Sequence, residues 1–230
     1  VTRKYRWVIL ASGSVATAAL SAVQQGLPAL GPTLQERFGL TLSEVGLVFT
    51  ALGVGIIITL LGWGLLADRY GERFVISAGL TVAAFALVGA AFTTTLGQLL
   101  VALTITGLFG SSAVAASGRA IVGWFGRKER ALALGLRQTA VPLGGALAAA
   151  VLPLLAGGDA IKAPFLALAG LAFGAALVNG LFLREPPERP DPPVIEERPR
   201  PFRDRRLWRL AAGSALIICG QVAMVGFVAL

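Results

Sequence analysis

Histidine is absent from the 230 residues, and cysteine occurs once, as Cys219 inside an apolar run. Zinc sites built on Cys and His, disulfide frameworks and His-dependent catalytic triads therefore lack their raw material. Charge is scarce as well: 14% of the chain is Asp, Glu, Lys or Arg against 56% hydrophobic residues, too little to clothe a water-soluble surface. A Gly-x-x-x-x-Gly-Lys-Ser/Thr sequence is missing, and Gly53, Gly55, Gly62 and Gly64 fall inside an apolar stretch where they serve helix packing, so a nucleotide-driven pump is not expected. The interiors of the apolar stretches hold no Asp or Glu, which removes a membrane-embedded, proton-carrying carboxylate from this part of the chain. Covalent chemistry, catalytic residues, metals and cofactors are not expected.

What is present is a series of stretches long enough to cross about 30 Å of hydrocarbon, which takes roughly 20 mainly apolar residues as a helix. Seven are predicted: Trp7 to Pro28, Val45 to Leu66, Phe74 to Phe92, Gln98 to Phe125, Ala131 to Leu155, Ile161 to Leu183 and Leu207 to Leu230. The first follows Arg3, Lys4 and Arg6 and is of full span length, so it reads as a membrane helix and not as a cleaved signal. The chain stops at Leu230 in mid-apolar sequence, so the seventh span is expected to be cut short or continued elsewhere.

The net charge of +8 would suit nucleic acid only if it formed one solvated face, whereas it sits in short links between apolar stretches; no nucleic-acid partner is expected. Arg3, Lys4 and Arg6, then Arg69 and Arg73, then Arg127, Lys128 and Arg130, then eight arginines from Arg184 to Arg209 fall on one side, with Arg37 and Lys162 opposite. Positive residues are retained on the cytoplasmic side, which predicts a cytoplasmic N-terminus. The Pro-rich, charged segment after Arg184 can be neither a continuous helix nor buried. The expected organisation is a six-helix membrane bundle over residues 1–183, a cytoplasmic linker over 184–206 and the start of a second half over 207–230. Each six would itself comprise two inverted groups of three, although the two triplets show no convincing identity.

Between the second and third spans runs Gly64-Leu65-Leu66-Ala67-Asp68-Arg69-Tyr70-Gly71-Glu72-Arg73. This resembles the major facilitator superfamily, whose G-x-L-x-D-R-x-G-x-R loop joins these two helices, and every motif position matches. Gly64 is expected to permit close helix contact and Gly71 a tight turn, with Asp68 capping a helix end while Arg69 and Arg73 hold its charge. In the family this network is implied to latch the cytoplasmic gate, and Arg130 is placed with it. Trp124 to Gly145 is similar to the family's fourth loop and fifth helix, with Pro142, Gly144 and Gly145 expected to bend that helix and allow close packing. Ala140 and Val141 stand where the antiporter motif has Gly-Pro, so antiport is not carried over, and Leu103 replaces the arginine that commonly precedes Gly107 by four residues.

Candidate substrate contacts come from polar residues in the spans. Ser14, Thr17, Ser21, Gln24 and Gln25 recur with helical period on the first, and of these Thr17, Ser21 and Gln24 are placed at the substrate. The alternative is that they only pack helices. Arg119 and Arg137 are the only ionisable residues well inside the spans, both about 9 to 10 Å from the basic end at 1.5 Å per residue. Their planar donors, with an amide from Gln138, suit a carboxylate or oxyanion. They could instead snorkel to the surface, or Arg119 could join Asp68 or Glu129 in the gate.

The reading is an all-α polytopic bundle of major facilitator type, in a cell membrane and of bacterial inner-membrane kind. It would act as a secondary transporter that moves a small anionic solute by exchange or symport, with the lipid bilayer and a second six-helix half as partners. Export of drugs or other hydrophobic compounds is one alternative; a membrane receptor or scaffold of the same fold, binding without translocation, is another.

Overall fold

The structure is a computed structural model that describes residues 2–156, 161–186 and 205–228. Its described residues divide into two units, Val1–Glu188 and Arg189–Leu230. In the first unit α1 is Thr2–Gly26, followed by a 3-10 turn at Pro28–Leu30, then α2 (Gly31–Phe38), α3 (Leu42–Tyr70), α4 (Glu72–Ala91), α5 (Leu96–Trp124), α6 (Arg130–Leu155) and α7 (Lys162–Phe182). The second unit contributes α8, Arg205–Val228. The greater part of the expected linker, residues 187–204, and the last two residues of the expected seventh span lie outside the described residues.

Six described segments are long and apolar enough to cross a membrane, and the first, Lys4–Phe38, combines α1, the 3-10 turn and α2. The sequence reading ended that span at Pro28 and missed its continuation. Pro28 and Pro32 each occupy the first turn of the piece they open, where a missing N–H costs nothing, so they break the span into pieces without ending it. Gly39, left-handed at φ 63°, closes α2. Thr41 then opens α3 with a reciprocal cap: its hydroxyl accepts from the Glu44 N–H and the Glu44 carboxylate accepts from the Thr41 N–H at 2.8 Å. Between α3 and α4 only Gly71 stands outside a helix, and its φ of 84° is a conformation that a residue with a β-carbon rarely adopts.

Contacts along the helices fix their directions. Gly55 meets Thr104 and Leu108, Thr59 bonds Ser111 and Arg119 reaches Asp68, so α3 and α5 run parallel. Arg6 meets Glu129, Ala18 meets Gly144 and Gly26 meets Ala148, so α1 and α6 run parallel as well. Leu20 against Gly110 and Thr17 against Ser117 make α1 and α5 antiparallel; Ser77 against Gly180 and Phe92 against Lys162 do the same for α4 and α7. The chain thus alternates, and its basic links Asp68–Arg73 and Trp124–Arg130 gather at the end that holds the N-terminus.

The most extensive packing joins α3 to α5, α1 to α6 and α4 to α7. Exchanging the triplet α1, α3, α4 for the triplet α5, α6, α7 turns this set of pairs into itself, and does the same for the pairs α4 with α5 and α1 with α7. Because three alternating helices end pointing opposite to their start, the second triplet is inverted relative to the first. The inverted repeat, invisible in residue identity, is carried by the packing. Both exchanged crossings are glycine contacts: a β-carbon on Gly55 would collide with the Thr104 carbonyl, and one on Gly144 with the Ala18 carbonyl.

Gly144→Ala should therefore overpack the α1–α6 crossing and destabilise by about 1 to 3 kcal/mol. Gly89→Ala on α4, where a β-carbon meets nothing within 4 Å, should leave stability unchanged or slightly raised. Thermal unfolding of the two variants in detergent checks the contrast.

Candidate functional site

Arg137 lies two turns into α6 and is buried, at 9% exposure. The Gly144 crossing draws α6 toward α1, and the guanidinium turns inward to α5, where Nε donates to Ser117 Oγ at 3.0 Å. Ser117 passes its own hydrogen to the Ala113 carbonyl, so its oxygen is free to accept. Thr17 of α1 closes the cluster, its Oγ1 3.4 Å from Ser117 Oγ and donating at 2.9 Å to the Gly13 carbonyl. The two terminal nitrogens of Arg137 have no hydrogen-bond or ion-pair partner among the described residues. Nη1 lies 4.0 Å from where a Gly118 β-carbon would be, and nothing else approaches that position. A buried guanidinium with open donors beside a residue without a side chain has paired donors of the geometry that suits a planar anion.

Arg119 is placed differently. Its Nη2 donates to Asp68 Oδ1 and lies 3.7 Å from Glu72, and its Nη1 reaches the Gly64 carbonyl at 3.3 Å. The two arginines therefore do not converge on one anion, as matched depth alone suggested. Ser117 and Arg119 are two residues apart on α5, which is about 200° of rotation, so Arg137 and Asp68 approach opposite sides of that helix. Gln138 is exposed while Arg137 is buried, because consecutive residues diverge by about 100°, and it does not join the guanidinium. On α1, Thr17 and Ser21 are buried whereas Gln24 is exposed.

The gate residues divide in the same way. Asp68 pairs with Arg119 instead of with Arg69 or Arg73: the Arg69 guanidinium stacks on Tyr70 at 5.5 Å, and Arg73 lines a groove between α4 and α7. A β-carbon on Gly64 would meet nothing within 4 Å, so close helix contact does not explain that glycine in this unit; its carbonyl does hold Arg119. Arg130 Nε closes the α5–α6 turn by donating to the Phe125 carbonyl at 3.0 Å. The sequence reading missed a second ion pair at the same end, a two-pronged one from Arg6 to Glu129 at 2.6 and 3.1 Å, with Arg6 also over the Phe125 ring at 5.2 Å. An i-to-distant pairing of this kind leaves no periodic trace. Two surface grooves of about 580 and 620 Å³, on α4 with α7 and on α4 with α5, include none of the Arg137 cluster.

The family model described as Major Facilitator Superfamily matches residues 10–230. The chain belongs to the major facilitator superfamily. It is similar to an uncharacterized MFS-type transporter of Mycobacterium tuberculosis, 34% identical over 224 residues that are 96% of this chain and 50% of that protein. It is also similar to a probable sulfoacetate transporter of Cupriavidus necator, 26% identical over 69% of this chain and 37% of that one. Among solved structures, a bacterial homologue of the human lysosomal transporter Spinster superposes with a TM-score of 0.79 over 98% of this chain and 55% of the other, at 18% identity, a likeness of fold. The chain spans about half the length of the first of these superfamily relatives. It is a multi-pass membrane protein of that superfamily.

Two outcomes follow from the geometry. Asp68 and Arg119 are 60% and 42% exposed, so solvent screens the pair and its coupling in a double-mutant cycle of Asp68→Asn with Arg119→Gln should be at most about 1 kcal/mol in unfolding free energy. Gly118→Ala should fold with thermal stability in detergent near wild type, its β-carbon at ordinary contact distance from Arg137.

Proposed function

We propose that the chain supplies the anion-selecting part of a secondary transporter and that Arg137 is the selecting group. The carrying observation is the buried guanidinium whose Nε is fixed by Ser117 while its terminal nitrogens stay open. A charge in such a place is costly unless a ligand or partner answers it. Arginine offers paired, coplanar donors, which match a carboxylate or sulfonate better than a halide or a neutral solute. The relative named for sulfoacetate, whose substrate carries both acid groups, supports the same class. A short organic acid is the substrate we assign.

Transport is by alternating access, in which this six-helix bundle rocks against a second six-helix half around a site that Arg137 faces. Residues 184–206 form the linker to that half and the helix from 207 begins it. The basic end is cytoplasmic by the positive-inside rule, so the N-terminus is cytoplasmic, in the inner membrane of a bacterium. The Asp68–Arg119 pair then stabilises the state closed to the cytoplasm. Being exposed, it shifts that equilibrium by no more than about fivefold, the equivalent of about 1 kcal/mol.

With sulfoacetate and glucuronate as probes, Arg137→Gln should weaken binding to the purified transporter by roughly one to two orders of magnitude, the loss of a charge-assisted contact of about 1.5 to 3 kcal/mol. Arg137→Lys should recover part of the loss, keeping charge without the planar fork. Isothermal titration in detergent reads both. Unchanged affinity alongside lowered thermal stability would make Arg137 a packing residue.

A further inference from the structure

At the basic end, where α4 begins and α7 has just ended, a groove of about 580 Å³ opens on the outside of the bundle. Its walls are Tyr70, Arg73, Phe74, Ser77, Arg184 and Glu185, with Gly180 at its floor. Neither α4 nor α7 supplies a residue to the Arg137 cluster, so this groove is separate from that site. Arg73 makes no hydrogen bond or ion pair with its guanidinium among the described residues. The Arg184 guanidinium lies over the Tyr5 ring at 4.8 Å and makes no hydrogen bond or ion pair among the described residues. The Glu185 carboxylate lies against Gly71, so the groove holds two guanidiniums and one carboxylate.

The surroundings point to what that charge meets. Tyr70 and Phe74, 6.1 Å apart, place aromatic rings at the level where spans meet water, as membrane proteins do at headgroup depth. Below the groove the two helices expose apolar side chains, among them Val82, Phe85, Leu177 and Leu181. Ser77 donates to the Arg73 carbonyl at 2.8 Å, which leaves its oxygen as an acceptor. Two arginines and aromatic rings at the boundary, with an apolar wall below them, fit an amphiphile with an anionic head. Arginine takes a phosphate through paired donors, and basic groups beside a membrane span attract anionic lipid.

We propose that the α4–α7 groove is a binding site for an anionic phospholipid, with the phosphate held between Arg73 and Arg184 and the acyl chains along the exposed faces of α4 and α7. The lipid would tie the start of α4, which follows directly on the Asp68 turn, to the end of α7.

Native mass spectrometry of the full transporter in detergent, titrated with phosphatidylglycerol, tests this. The wild type should retain one phosphatidylglycerol in preference to phosphatidylcholine. The double variant Arg73→Gln/Arg184→Gln should bind it roughly ten- to thirtyfold more weakly. Glu185→Gln, which removes the opposing charge, should bind it more tightly, and this arm stands even where the double variant fails to fold. Inorganic phosphate at millimolar concentration should not displace the lipid. Equal retention by wild type and the double variant, no gain from Glu185→Gln, or equal retention of phosphatidylcholine would overturn the proposal. Displacement by phosphate would show a free-anion site and overturn the lipid assignment.

Discussion

A guanidinium inside an apolar bundle is costly unless its donors are answered, and the arrangement around Arg137 reflects that constraint. Ser117 answers one donor, at 3.0 Å, and is itself answered by the Ala113 carbonyl, so the serine is locked in the accepting role. Thr17 backs it from α1. All three helices must approach closely for this to happen, and the α1–α6 approach depends on Gly144 lying where a β-carbon would strike the Ala18 carbonyl. Packing glycine and buried charge are thus linked: the first brings the helices together, and the second leaves open donors where they meet.

The same crossing recurs, inverted, where α3 meets α5 through Gly55. At the basic end each of these helix pairs is joined by an ion pair, Arg6 with Glu129 across α1 and α6 and Arg119 with Asp68 across α5 and α3. In both the arginine belongs to the central helix, α1 or α5, and the carboxylate to its outer partner or the turn before it. The Asp68–Arg119 pair, exposed on both sides, contributes little to folding, since solvent screens it and ordering the long side chains costs entropy, whereas Arg6 is largely buried in its pair with Glu129. The fold is held by the apolar contacts below them.

Spans, charge bias and the Gly64–Arg73 motif were legible because each is local: twenty apolar residues in a row, a cluster of arginines in a link, fixed spacing in a turn. Direction around a helix was not legible. In a membrane helix nearly every side is apolar, so periodicity does not say which face looks inward, and Arg119 and Arg137 were paired by depth when rotation sends them to opposite sides of α5. Gln138 was drawn to Arg137 by adjacency, which on a helix separates side chains. The first span is expected to end at Pro28, yet Pro28 and Pro32 both sit in first turns, where they start helices. Arg6 looked like a topology signal alone, since its partner Glu129 is 123 residues away.

The measurement that bears most directly on the account is a structure of the complete transporter with sulfoacetate bound. An acid group of the ligand within hydrogen-bond distance of the Arg137 terminal nitrogens, about 2.7 to 3.2 Å, with Nε still on Ser117, is the predicted result. A carboxylate from elsewhere in the protein paired with Arg137, and the ligand bound away from it, would contradict the claim that this buried charge selects the substrate.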